Sequence, residues 1–182
     1  MKLSTRDLII AALFTALTAV GGILSIPLGP VPITLQTFFV ILSGIILGSK
    51  LGALSQITYV VLGLIGLPIF SGAYGGLGAI VRPSFGFLIG YIIAAYVIGK
   101  LTEKDKSLSK IIYSVILGSF IIYIIGVPYF YFIFTTYIGK SINFYEALKY
   151  ACIPFIPGDI IKAVIAIILS KQLIPRLSKY SN

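Results

Sequence analysis

The stretch Pro154-Phe-Ile-Pro-Gly-Asp-Ile-Ile-Lys-Ala-Val-Ile-Ala166 reads as a broken approach to an apolar helix. Two opposite charges, Asp159 and Lys162, stand near the start of that helix. On a helix, residues three apart project from the same side, so carboxylate and ammonium are neighbours. The same face continues through Ala163, Ala166 and Ser170, whereas the other carries Ile160, Ile161, Val164, Ile165, Ile167 and Ile168. Bulky aliphatics suit lipid and small residues suit helix contact, so the charged face is expected to look inward. An ionisable pair facing a bundle interior is a candidate functional site. A plainer reading fits the same residues. Asp159 after Pro157-Gly158 is also an ordinary N-cap, and Lys162 one turn on can snorkel to the headgroups.

Composition decides the class. The chain has 182 residues, 58% hydrophobic and 10% charged, where soluble domains carry about 25% charged residues. It reads as an all-α integral membrane protein. Six transmembrane helices of roughly 20 residues would take up about two thirds of it, leaving one membrane domain over residues 1–182 and no second, soluble one. There is no histidine, and Cys152 is the one cysteine. Disulfides within the chain, multi-cysteine metal sites and histidine general bases are therefore excluded. Of five acidic residues, Asp7, Glu103 and Asp105 fall in segments read as solvent-facing, which leaves Glu146 with Asp159 as a poor catalytic pair. No enzyme, resident metal or cofactor is expected.

The spans are expected at about 8–26, 33–49, 51–67, 84–99, 111–134 and 154–174. The first is long and is followed by others, so it reads as an uncleaved helix rather than a signal peptide. Its small residues, Ala11, Ala12, Thr15, Ala16, Thr18, Ala19 and Gly22, form one face, against Ile10, Leu13, Phe14, Leu17 and Val20. Three prolines in Ser25-Ile-Pro-Leu-Gly-Pro-Val-Pro32 then force a tight break. Thr34, Gln36 and Thr37 open the second span, and Lys50 marks a very short turn to the third. Residues 68–83 form a glycine-rich loop, too hydrophobic for a solvated linker, that is expected to pack down as a cap. Gly86, Gly90 and Ala94 recur every four residues in the fourth span, a small-residue helix contact. Pro128 is expected to kink the fifth, and residues 135–153 suit an interfacial lid or short helix.

With six spans, the termini share a side with the connections at Lys50 and at 100–110. Those segments hold Lys2, Arg6, Lys50, Lys100, Lys104, Lys106, Lys110, Lys171, Arg176 and Lys179, against Arg82, Lys140 and Lys149 on the other side. This asymmetry accounts for the net charge of +9 without nucleic acid. The positive-inside rule puts both termini in the cytoplasm. The proline-rich break, the glycine-rich loop and the Asp159–Lys162 pair then gather on the outer side, which implies an outward-facing pocket for a small solute.

Pro30-Val-Pro-Ile-Thr-Leu-Gln-Thr37, Gly75-Gly-Leu-Gly78 with Arg82-Pro-Ser-Phe-Gly-Phe87, and Pro157-Gly-Asp-Ile-Ile-Lys162 together resemble the BioY family. These are the biotin-specific substrate-binding (S) components of prokaryotic energy-coupling-factor (ECF) transporters. The resemblance covers nearly the whole chain. It implies a six-helix S-component bundle in the cell membrane, biotin capture from outside, and partnership with a transmembrane coupling protein and two ABC-type ATPases. Asp159 and Lys162 fit the family's Asp-x-x-Lys motif. Asp159 can accept from a ureido N–H, and Lys162 can donate to the ureido carbonyl or to the valerate carboxylate. Gln36, Thr34, Tyr74 and Gly76 are further biotin-binding candidates, and Arg82 could supply charge for the valerate. Ala12 and Ala16 match the Ala-x-x-x-Ala that docks the coupling protein on the first helix.

Two other functions are weighed beside this one: an S component for a different vitamin, and a stand-alone secondary transporter. The second is disfavoured because no inverted repeat is evident. The chain has no Gly-x-x-x-x-Gly-Lys-Ser/Thr, so it cannot hold ATP in the P-loop manner.

Overall fold

A computed structural model describes residues 4–27 and 29–178. Lys2 and Lys179 of the charge count, and Leu28 of the proline-rich break, lie outside the described residues. Helix α1 (Thr5–Ile23) starts at a capping box in which the Ser4 hydroxyl accepts from the Asp7 N–H and the Asp7 carboxylate accepts from the Ser4 N–H. It ends before the expected residue 26, because Ser25–Ile26 (β1) pairs antiparallel with Ile33–Thr34 (β2). This two-residue ladder closes the proline-rich break into a tight hairpin.

Helix α2 (Gln36–Leu64) counts as 29 residues, yet Gly48 inside it has φ 78° and ψ −177°. A continuous helix would put residues 43 and 56 about 20 Å apart. Instead the Gln56 amide donates to the Ser43 hydroxyl at 3.3 Å, and the Gln36 amide donates to the Tyr59 hydroxyl at 2.6 Å. The chain therefore folds back at Gly48 into two antiparallel halves. The turn sits one or two residues before Lys50, where the sequence marks it. Ser49, which opens the second half, gives its N–H at 2.9 Å and its hydroxyl to the Glu103 carboxylate. Those two bonds, the hydroxyl first, hold the Glu103 carboxyl below the usual glutamate range.

Glu103 directly follows α3 (Phe85–Thr102), so the far end of α3 meets the Gly48 turn. The expected small-residue contact joins α3 to α4 (Leu108–Phe132). A Cβ on Gly86 would lie 2.3 Å from Tyr129 Cβ, and one on Gly90 would lie 3.0 Å from Ile122 Cα. Pro128 does not break α4; the irregularity comes later, as a wide π turn over Ile133–Tyr137. Residues 135–153 do contain a short helix, α5 (Phe144–Ala151), capped by reciprocal 2.8 Å bonds between Asn143 and Glu146. A single 3₁₀ turn, Ile153–Phe155, leads into α6 (Ile156–Ser178).

Among the described residues, five helical segments are long and apolar enough to cross a membrane. Their order in space is α1 on α2, α2 on α3, α3 on α4, with α6 laid mainly against α2 and barely touching α4. On α6, Lys162, Ala166 and Ser170 are buried while Ile160, Ile161, Val164, Ile165 and Ile168 are exposed. The charged face thus looks inward, as its periodicity requires. On α1 the division differs from the expected one: Phe14 is buried beside Thr15 and Thr18, and Ala12 and Ala16 lie exposed among Ile9, Leu13 and Val20. Lipid offers no hydrophobic drive for helices to associate, so close backbone approach and buried hydrogen bonds must hold the bundle. The Thr15 hydroxyl accordingly donates to the Ser55 carbonyl at 2.9 Å, and the buried Gln56 amide also reaches the hydroxyls of Thr18 and Ser55.

The Gly48 conformation is one that essentially only glycine adopts. Gly48→Ala should therefore destabilise the protein by about 1–3 kcal/mol and lower its melting temperature in detergent. An unchanged melting temperature would mean that the hairpin does not need a glycine there.

Candidate functional site

At the end of the bundle away from the Gly48 turn lies a cavity that opens to solvent, its empty space about 550 Å³ with the open mouth included. Five parts of the chain build it. β2 and the start of α2 give Thr34, Gln36 and Thr37, and the loop after α2 gives Phe70, Ser71 and Tyr74. The start of α3 gives Ser84, Phe87, Leu88 and Tyr91, α4 gives Ile122 and Tyr123, and the α5–α6 region gives Ala151, Phe155, Asp159 and Lys162. The walls mix aromatic and aliphatic side chains with polar groups from each of these parts.

The Asp159–Lys162 ion pair supplies the charge on this wall. Each side chain is at least four-fifths buried, at 16% and 10% exposed. A buried pair is sustained only when its remaining donors and acceptors also find partners. Lys162 Nζ donates to the Thr34 carbonyl at 2.9 Å, a carbonyl held in place by the β1–β2 ladder. The Asp159 carboxylate accepts from the Thr37 hydroxyl at 3.1 Å and from the Tyr123 hydroxyl. A carboxylate has about four acceptor positions and an ammonium three donors. With three partners on Asp159 and two on Lys162, the pair keeps one acceptor and one donor to spare. Tyr123 and Asp159 also line the apolar groove between α4 and α6, so their bond closes the cavity on that side.

Gln36 is almost fully buried and is clamped at both ends. Its carbonyl accepts from the Thr34 hydroxyl at 3.1 Å, and its amide donates to Tyr59, whose hydroxyl donates on to the Ile69 carbonyl at 3.2 Å. The Gln36 amide has a second N–H beyond the one given to Tyr59. Across the cavity the Tyr74 and Ser84 hydroxyls share a 3.1 Å hydrogen bond, and the buried Ser71 hydroxyl has no partner.

Of the candidates read from the sequence, the cavity brings together Asp159, Lys162, Gln36, Thr34 and Tyr74. Gly76 and Arg82 are not on its wall. Gly76 gives its N–H to the Gly63 carbonyl at 2.7 Å, with φ 92°, and so shapes the loop that carries Tyr74. Arg82 is exposed, its guanidinium carbon 3.7 Å from the centroid of the Tyr74 ring. Sequence reasoning missed Tyr91 and Tyr123, which sit in long aliphatic runs and look like any other membrane tyrosine. It also left Ser71, Phe70, Ser84 and Phe87 without a role, although the last two stand inside a quoted motif. No group of three His, Cys, Asp or Glu residues is placed to hold a metal among the described residues.

The whole length of the chain has relatives. The model of the BioY family matches residues 1–179. A protein of Thermotoga maritima described as biotin transporter BioY is 44% identical over 168 residues, covering 92% of this chain and 95% of that one. A probable biotin transporter BioY of Pyrococcus horikoshii is 37% identical, covering 94% and 98% of the two chains. Among solved structures, the S-component for biotin from an ECF-type ABC transporter superposes with a TM-score of 0.82 at 28% identity, covering 94% of each chain. The fold is therefore that of an ECF S component, and the protein is a membrane protein. On these matches, spread over the chain from end to end, it belongs to the BioY family.

Proposed function

We propose that this chain binds biotin in the cavity around Asp159 and Lys162 and delivers it, as the S component of an ECF transporter, for ATP-driven import. The observation that carries the reading is the buried Asp159–Lys162 pair with one acceptor and one donor unspent. Biotin's ureido ring presents an N–H beside a carbonyl, which is the complement of that pair. Asp159 accepts from the ureido N–H, and Lys162, bonded to the same carboxylate, donates to the neighbouring carbonyl. The aromatic wall of Phe70, Tyr74, Phe87 and Tyr91 takes the apolar thioether ring, while the second N–H of Gln36 and the hydroxyls of Thr34 and Ser71 are the further polar contacts. The 28%-identical biotin S-component structure supports the same ligand.

In this reading the fold-back at Gly48 makes two crossings of α2, so the chain crosses a prokaryotic cell membrane six times. Charge asymmetry favours both termini in the cytoplasm and the cavity facing out. The chain is not an enzyme and has no P-loop, so in this reading energy comes from two ABC-type ATPases through a transmembrane coupling protein. The exposed Ala12 and Ala16 on α1 offer that protein a smooth track flanked by Ile9, Leu13 and Val20.

Asp159→Asn and Lys162→Ala should each weaken biotin binding about tenfold or more, since a buried bond to a charged group is worth about 1.5–3 kcal/mol. Calorimetry on the folded variants checks this, and unchanged affinity in both would remove the site. Replacing Ala12 and Ala16 by tryptophan should abolish co-purification with the coupling protein while biotin binding stays intact. Survival of the complex would put the docking face elsewhere.

A further inference from the structure

Helices α4 and α6 leave a groove between them, because α6 is laid against α2 and scarcely reaches α4. Ile112 and Ile116 from α4 and Ile160, Val164 and Ile167 from α6 line it, and the first four of these are exposed. Its polar side chains are Ser119, Tyr123 and Asp159, and the last two are bonded to each other at the end nearer the ligand cavity. The groove therefore offers length and apolar surface but little for a polar ligand to bond. From the Tyr123–Asp159 bond to Ile112 it runs about 16 Å along α4. That is roughly half of the ~30 Å hydrocarbon core of a bilayer, the depth of one leaflet.

The far end of the groove is basic. On α6, Ile160, Val164, Ile167 and Lys171 follow at three- and four-residue spacing, so the exposed Lys171 stands one turn beyond the last aliphatic of the groove. Tyr123 meets Asp159 while Ile112 meets Ile167, so the two helices run antiparallel along the groove. Counted from the Tyr123–Asp159 bond, Lys171 on α6 and Lys110 on α4 both lie about 18–20 Å along. Among the described residues, no carboxylate pairs with either lysine. An apolar slot one leaflet deep with unmatched cations at its rim complements an anionic phospholipid, and basic clefts between transmembrane helices hold such headgroups.

We propose that the α4–α6 seam is a binding site for an anionic phospholipid, with one acyl chain in the groove and the phosphate against Lys171. The tip of the chain reaches the Tyr123–Asp159 bond, so the lipid backs the cavity wall where the two helices do not close by packing. The inference stands on the groove and its charges and does not rest on the biotin reading.

The chain has no tryptophan, so a single introduced one reports on its own surroundings. Val164→Trp places it in the groove, and Ile165→Trp places it on the exposed face of α6 outside the groove. Each variant is held in phosphatidylcholine nanodiscs that carry a small fraction of brominated phosphatidylglycerol or of brominated phosphatidylcholine. Quenching should favour the phosphatidylglycerol about fivefold at position 164 and favour neither lipid at position 165. Lys171→Gln should abolish the preference at position 164, and Lys171→Arg should retain it. Equal quenching by the two lipids at position 164, or a preference that survives Lys171→Gln, would overturn the site. Weaker quenching by both lipids at position 164 than at 165 would also overturn it and would show that a protein segment or a second copy covers the seam.

Discussion

A carboxylate and an ammonium one helical turn apart and mostly withdrawn from water are costly unless nearly every remaining lone pair and proton is used. The fold can be read as the means of using them. The β1–β2 ladder turns the Thr34 carbonyl towards Lys162, the first turn of α2 brings Thr37 to Asp159, and α4 brings Tyr123 to the same carboxylate. Three separate parts of the chain thus converge on a pair carried by a fourth. Removing either partner alone would leave the other charge buried and unmatched, which costs more than the pair contributes when intact. The pair nevertheless ends one acceptor and one donor short, and that shortfall is what the proposed ligand fills.

The other end of the bundle follows a different rule. There the chain reverses within a single glycine, and the glutamate that follows α3 caps the returning helix. Gly44 and Gly99 let backbones approach to distances at which a Cβ would collide with Ala95 and with Gly48. Close approach of this kind replaces the hydrophobic drive that lipid does not provide. The consequence is a tight end at the Gly48 turn and a loosely filled end under the loops, where a cavity can open without unpacking the helices.

How much of this could be read from residues alone depended on whether a signal was periodic. The inward face of α6 was legible because charge, small residues and aliphatics alternate with the helical repeat. The α3–α4 contact was legible from glycines spaced by four. Phe14 was misplaced on α1 because its small and bulky residues do not divide into two clean stripes, and only the neighbouring α2 decides which stripe is inside. Pro128 stands inside α4 on an exposed side, and a π turn that no residue announced follows at Ile133–Tyr137. Tyr123 and Tyr91 were invisible as wall residues, since a hydroxyl in an aliphatic run says nothing about which partner it meets. Arg82 and Gly76 were grouped with the cavity by motif, whereas in three dimensions one stands on the far side of Tyr74 and the other supports the loop from behind.

The central claim is that the spare donor and acceptor on Asp159 and Lys162, within the cavity, select a ureido ring. Calorimetric titration of the purified, unmodified protein with biotin, thiamin and riboflavin in turn tests it most directly. The account predicts saturable one-to-one binding of biotin and no measurable heat with either of the other vitamins. Absence of biotin binding, or comparable binding of thiamin or riboflavin, would contradict it.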